Sequence, residues 1–211
     1  MDRYGRMGDQ GNQSLTREAA DPPIGRRIFH LIAGSVLPLA ALFAPQGAAV
    51  LAYAVLTAVS LGLDLARFRI GWLNQQFLRW LAPLLKGNEG RRITGATYMV
   101  IAGLLAFSFF HTGAAVAAML FLSLGDPVAG LVGRRMKGPR LFGKSPGGTA
   151  AFIVVALAVV FVLVVSGAIE YHWGLLVGAV VAGLVELAPL PPDDNLTIPL
   201  ISGAVMHYLV V

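Results

Sequence analysis

The chain has 211 residues, of which 56% are hydrophobic and 13% charged, with a mean hydropathy of +0.72, whereas an ordinary soluble domain is roughly 25% charged. That balance excludes a disordered chain, a collagen-like fibre and an ordinary soluble fold, and indicates an integral membrane protein. Cys 0 excludes a disulfide, a thiolate nucleophile and a cysteine metal site, and a net charge of +5 carried in a membrane chain is read as a topology signal rather than as a nucleic-acid footprint.

Residues 1–25 are polar and Gly-rich and end in a double proline, so they are expected to form a flexible cytoplasmic tail, too polar for a signal peptide. Residues 26–211 are expected to form one transmembrane catalytic domain. Apolar runs predict spans near 28–44, 48–67, 94–110, 113–133, 148–167, 173–190 and 195–211, each close to the length of about 17 to 25 residues that a bilayer core requires. The stretch 70–85 carries Asn74, Gln75, Gln76 and Arg79 among Trp and Leu, and is predicted to be an amphipathic helix lying at the interface. The expected fold is therefore an all-α bundle of about seven transmembrane helices plus one interfacial helix.

All 16 basic residues fall on alternate flanks of these spans. Arg3, Arg6, Arg17, Arg26 and Arg27 precede the first. Arg67, Arg69, Arg79, Lys86, Arg91 and Arg92 lie between the second and third, and Arg134, Arg135, Lys137, Arg140 and Lys144 between the fourth and fifth. This segregation predicts a cytoplasmic amino terminus and a carboxyl terminus outside. Tyr171, His172 and Trp173 then fall at the outer interface, and His111, His172 and His207 lie away from any cytoplasmic chemistry.

Asp64, Asp126 and Glu186 lie inside predicted spans, where a carboxylate costs a few kcal/mol or more and is a functional candidate by default. At about 1.5 Å per residue, Asp64 is about 5 Å from Arg67, Asp126 about 12 Å from Arg134 and Glu186 about 8 Å from Pro191. All three belong to one cytoplasmic layer, together with His30, Asp193 and Asp194. Arginines and lysines facing carboxylates suit a polyphosphate and its magnesium, or a proton taken from an attacking hydroxyl. The structural alternative is that each acid pairs with a loop arginine at a helix end.

Residues 138–145 (GPRLFGKS) match the G-x-x-x-x-G-K-[ST] pattern. A true P-loop requires a preceding β-strand, and here a membrane helix is predicted instead. The physical content survives, since glycines, Lys144 and the start of a helix suit phosphate oxygens. Asp194 or Asn195 is a good N-cap for the last helix, and Pro199 is tolerable in its first turn. Pro127 is expected to break the helical ladder beside Asp126. Gly174, Gly178 and Gly183 would permit close helix packing, more readily within the bundle than with a neighbour.

The run 124–129 (LGDPVA) continuing through Gly133, Lys137, Gly143, Lys144, Ser145, Gly148 and Thr149 resembles the nucleotide-binding signature of the CTP-dependent polyprenol kinase family, which includes dolichol kinase, phytol kinase and a CTP-dependent diacylglycerol kinase. Glu186 followed by 191–200 (PPDDNLTIPL) is similar to its other hallmark, a glutamate and then D-D-N-x-x-[IV]-P. Supporting pieces are 26–30 (RRIFH), Asp64 and Arg67, and Glu89 with 94–98 (TGATY). Gly147 departs from the pattern, because many members carry an acid two places after the K-[ST] pair.

The resemblance implies transfer of the γ-phosphoryl group of CTP to the hydroxyl of a membrane lipid alcohol at the cytoplasmic face. On that basis Asp126, Asp194 and Lys144 are expected to be catalytic. Asp126, Glu186, Asp193 and Asp194 are the expected Mg²⁺ ligands. Gly133, Lys137, Arg140, Gly143, Ser145, Gly148, Asn195 and His30 are expected at the nucleotide, with Arg134 and Arg135 as weaker candidates. The expected partners are CTP, the lipid alcohol and the bilayer; an oligomer is permitted but not predicted. Two rivals keep the same buried acids: a CTP-dependent cytidylyltransferase making CDP-diacylglycerol, and a small-solute transporter, which would rather place its carboxylates near mid-membrane.

Overall fold

The computed structural model describes residues 24–81, 92–188 and 190–210. Residues 1–23 of the expected tail and Lys86, Glu89 and Arg91 lie outside the described residues, while residues 24 and 25 of that tail already belong to the first helix. A helix stands at each predicted span: α1 (Ile24–Ala41), α2 (Gln46–Arg69), α4 (Gly95–Phe109), α5 (Thr112–Leu120) running through a π-helical turn (Phe121–Gly125) into α6 (Asp126–Arg135), α7 (Pro146–Val165), α8 (Trp173–Leu187) and α9 (Asp194–Val210). The amphipathic stretch is α3 (Gly71–Leu81).

Among the described residues three helices are long and apolar enough to cross a membrane: Gln46–Arg69, Thr112–Arg135 and Pro146–Val165. His30–Ala41, Gly95–Phe109 and Trp173–Leu187 are apolar but shorter. A 15-residue helix such as Gly95–Phe109 reaches only about 22 Å, short of a core about 30 Å thick. The protein is thus all-helical and membrane-like. Large apolar side chains such as Ile32, Val36, Val59, Phe161 and Val165 point outward, as lipid-facing positions do.

Local chemistry sets the helix ends. Thr94 caps α4 by accepting from Thr97 N at 3.3 Å, and His172 Nδ1 caps α8 by accepting from Gly174 N at 3.1 Å. Gly167, at φ +71°, closes α7 with the paired bonds Ala168 N to Leu163 O and Gly167 N to Val164 O, a Schellman stop. The Ala-rich α5 is buried throughout 114–120 and forms the axis on which Phe107, Phe121, Phe152, Ile198 and Met206 pack.

Small residues let neighbouring helices around that axis close on one another. A Cβ at Gly103 would overlap the Tyr53 ring, one at Gly178 would overlap Met206, and one at Gly183 would overlap Ile153. Gly174 likewise meets Leu209 of α9. The small face of α8 is therefore used inside the bundle.

Hydrogen bonds fix which ends lie together. Gln46 Nε2 at the start of α2 donates to Phe107 O and Phe110 O at the end of α4, and His111 N donates to His207 Nδ1 near the end of α9. The opposite end gathers the close of α2, the openings of α4, α7 and α9, and the close of α6 and α8. All Lys and Arg among the described residues belong to that second end.

Candidate functional site

A cavity of ≈ 300 Å³ opens at the basic end, walled by α1, α6, the loop 136–145, and the ends of α7, α8 and α9. From α1 come Arg27 and His30; from α6 come Asp126, Gly130, Gly133 and Arg134. The loop and the first turn of α7 supply Arg140, Gly143, Lys144, Ser145 and Gly148, and the far wall holds Glu186, Asp194 and Asn195. Two segments separated by some 50 positions in sequence thus meet across one cavity.

Lys144 joins them. Its Nζ donates to Asp194 Oδ2 at 2.7 Å and lies 3.2 Å from Glu186 Oε1. Glu186, only 6% exposed, also accepts from Thr149 Oγ1 through Oε2 at 3.0 Å. Burial pulls the Lys144 ammonium down, but Asp194 and then Glu186 outweigh it, so the charge persists above the ordinary 10.5. Burial pushes the Asp194 carboxyl up, Lys144 pulls it back, and Asp126 and Asp193 push it up again, leaving it above the ordinary 3.8.

Backbone geometry shapes the floor. The π turn Phe121–Gly125 directly precedes Asp126, and the helix then continues through Pro127 to Arg135. The α ladder is interrupted beside Asp126 as expected, while the rod stays continuous through Pro127. Pro127 lacks the N–H that would bond back one turn, and the widened π turn immediately before it accommodates that loss. Gly133 and Gly148 lie where α6 and α7 touch: a Cβ at Gly148 would stand 2.8 Å from Ala129 O and 3.2 Å from Gly133 Cα. These glycines line the cavity and also let its two walls approach.

The 138–145 segment is not a P-loop. It follows α6, and Leu141 and Lys144 exchange backbone hydrogen bonds at 2.8 and 2.9 Å in an isolated turn. Ser145 begins α7 without using its hydroxyl as a cap. A Cβ at Gly147 would overlap Met136 Sδ, so an acid at this position would first have to displace that thioether.

Several expected site residues lie elsewhere. Asp193 does not line the cavity: its Oδ1 accepts from Asn195 N at 3.0 Å and Asn195 Nδ2 at 2.6 Å, making Asp193, rather than Asp194 or Asn195, the cap of α9. Lys137 and Arg135 are exposed and outside the lining, whereas Arg134 is within it. Asp64 belongs to a separate closed cluster at the same end. It accepts from Arg67 Nε at 2.7 Å, Thr97 Oγ1 at 2.7 Å and Thr94 N at 3.0 Å. Arg67 in turn donates to Asn74 Oδ1 and Arg92 O, and its guanidinium lies over Phe68 and Phe77.

Arg27 lines the cavity and Thr149, outside its lining, bonds Glu186; the sequence motifs include both residues, but neither was singled out as a site residue. Arg27 precedes His30 by three positions and so shares its helical face, a spacing that could have revealed it; nothing in sequence pairs Thr149 with Glu186.

The wall is rich in hard oxygen donors, Asp126, Glu186, Asp194 and Asn195. Among the described residues no three Asp, Glu or His side chains form a group able to hold a metal ion by themselves. The expected quartet of Asp126, Glu186, Asp193 and Asp194 is therefore not a protein-only cage. The donor set does suit magnesium, which keeps several waters and is shared between one or two carboxylates and phosphate oxygens.

An uncharacterised protein of Rickettsia prowazekii is 28% identical to the chain over 193 residues, covering 87% of this chain and 94% of its own. A rice protein (Oryza sativa subsp. japonica) described as "probable phytol kinase 2, chloroplastic" is 28% identical over 205 residues, covering 88% of this chain. The chain spans 66% of the length of that rice protein. No family model matches, and no solved structure matches. The chain is a helical, membrane-like protein distantly similar to a phytol kinase.

Proposed function

We propose that the chain is a membrane lipid kinase that transfers the γ-phosphoryl group of CTP to the hydroxyl of a lipid alcohol such as a polyprenol, phytol or diacylglycerol. The observation that carries the reading is Lys144 held between Glu186 and Asp194, because it unites the Gly/Lys loop with the acidic block at the mouth of α9. The distant likeness to a phytol kinase supports the same class. In this reading about seven helices cross the bilayer, and the basic end with its cavity faces the cytoplasm.

Lys144, Arg140 and Arg134 stabilise charge on the donor phosphates, helped by the Gly143 and Ser145 backbone at the opening of α7. As phosphates take up the Lys144 ammonium, the carboxylates of Asp194 and Glu186 are released toward a cation. Mg²⁺ held by Asp126 and Asp194, with Asn195 and Glu186 beside them, would neutralise phosphate oxygens and leaving-group charge. His30 and Arg27 face the same space from α1.

The acceptor alcohol stays among apolar helices while its hydroxyl reaches the cavity. Its oxygen bonds to the γ-phosphorus as the bond from that phosphorus to the β,γ-bridging oxygen breaks. The hydroxyl proton passes to the Asp126 or Asp194 carboxylate, and CDP leaves. The raised Asp194 carboxyl is suited to that proton.

The test offers purified protein Mg²⁺, a panel of lipid alcohols, and CTP labelled at the α or the γ phosphate. Label from the γ position in the lipid supports the proposal. Label from the α position would instead identify a cytidylyltransferase, and no transfer from either would contradict both.

A further inference from the structure

Strain and exposure coincide on the turn beside the cavity. Phe142 has φ 52° and Gly143 φ 83°, both in the left-handed region, between the mutually bonded Leu141 and Lys144. Positive φ at both central positions marks a type I′ turn, whose first place favours Asn, Asp or Gly. A bulky side chain there is a backbone outlier. Phe142 gains no packing in exchange, since it is 75% exposed. Backbone strain of this kind collects at ligand clamps.

Phe142 could supply what the described lining of the cavity does not. Among the described residues the lining provides cations and carboxylates, and apart from the His30 imidazole no aromatic ring. A nucleotide with its phosphates at Lys144 still presents a flat base, and aromatic side chains are the usual platform for one. Phe142 lies within the same tight turn as Lys144, whose ends are less than about 7 Å apart. Arg140 and Gly143, on either side of it in sequence, both line the cavity.

We infer that Phe142 is the stacking platform for the base of a nucleoside triphosphate whose phosphates occupy the Lys144 end of the cavity. The inference rests on the phosphoryl-donor reading above and adds to it the residue that holds the nucleoside. Stacking tolerates every base, so Phe142 supplies affinity for the nucleoside without choosing cytosine over adenine.

The experiment measures binding of CTP and of inorganic tripolyphosphate to the full chain in detergent, for the parent protein and for Phe142→Ala, Phe142→Leu and Phe142→Trp. Ala and Leu are expected to weaken CTP about 5- to 150-fold and to leave tripolyphosphate unchanged, while Trp retains CTP. Leu keeps an apolar surface without a ring, so parental CTP affinity in that variant overturns stacking, as does unchanged affinity in Ala. Equal weakening of both ligands overturns it too, because that is damage to the phosphate loop. Phe142→Gly relieves the backbone, and is expected to keep thermal stability while losing CTP as Ala does. A parent protein that binds tripolyphosphate as tightly as CTP overturns the stacking alone; one that binds neither ligand overturns the donor reading as well.

Discussion

Lys144 Nζ lies 2.7 Å from Asp194 Oδ2, joining the loop before α7 to the first residue of α9. The pair is about a quarter exposed on each side, so its contribution to stability is modest, as for most solvent-screened ion pairs. Its expected importance is chemical. Replacing Lys144 by Met should lower kcat/KM about 100- to 1000-fold while leaving the thermal midpoint within a few degrees. Lys144→Arg should recover only part, because a planar fork does not reproduce an ammonium placed between two carboxylates. Steady-state assays with thermal melts check this, and near-parental activity in Lys144→Met would contradict the assignment.

A pH effect on stability follows from Asp194. Its carboxyl is raised above the ordinary 3.8 in the folded chain, so between that value and the folded one the native state binds more protons than the unfolded state. The corresponding contribution is fully present below 3.8 and is lost as pH rises through the folded value. Detergent-solubilised protein should therefore show a component of stability that declines as pH rises above 3.8 and through the folded value, and Asp194→Asn should remove it. Lys144, raised above 10.5, gives the partner effect: its contribution is intact below 10.5 and is lost only as pH climbs through its folded value.

Asp64 and Arg67 are expected to serve stability rather than chemistry. Both side chains are essentially inaccessible, at 2% and 0%, and Asp64 also holds Thr94 and Thr97 at the opening of α4. Removing one member of such a buried pair costs about 3–5 kcal/mol. Asp64→Ala or Arg67→Met should show a large fall in thermal midpoint, and the protein that remains folded should bind CTP with parental affinity. A stable variant with lost nucleotide binding would place Asp64 in the site instead.

Much of this arrangement was legible in the sequence because it depends on local pattern. Helix positions followed apolar run lengths, and α3 followed from Asn74, Gln75, Gln76 and Arg79 among tryptophans. The cavity lining brings together Asp126, Arg140, Gly143, Lys144, Ser145, Glu186, Asp194 and Asn195, which composition and motif had already singled out. What depth along a helix does not contain is rotation around it. Asp64 and Asp126 both lie at the basic end, yet Asp64 turns toward Arg67, Thr94 and Thr97 in a closed network. Asp193 and Asp194 are neighbours in sequence, but capping turns one to Asn195 and leaves the other facing Lys144. The continuity of the helix through Pro127 depends on the π turn before it, which no propensity announces.

The Gly133–Gly148 contact gives a further expectation. Gly148→Ala would bring a Cβ to 2.8 Å from Ala129 O, a backbone atom that cannot swing aside. Separation of α6 from α7 should cost about 1–3 kcal/mol and raise the KM for CTP, as Arg134 moves away from Lys144. Gly47→Ala, where a Cβ meets nothing within 4 Å, is the control and should leave both properties unchanged. Equal behaviour of the two variants would contradict a packing role for Gly148.

The central claim is that γ-phosphoryl transfer to a lipid hydroxyl occurs at the carboxylates gathered around Lys144. A single-turnover assay with γ-labelled CTP, Mg²⁺ and an accepted lipid alcohol tests it most directly when run on the parent chain beside Asp126→Asn and Asp194→Asn. The account predicts labelled lipid monophosphate from the parent chain, reduced at least about 100-fold in each variant. Undiminished transfer in both variants, or a parent chain that leaves all γ label in the nucleotide, would contradict it.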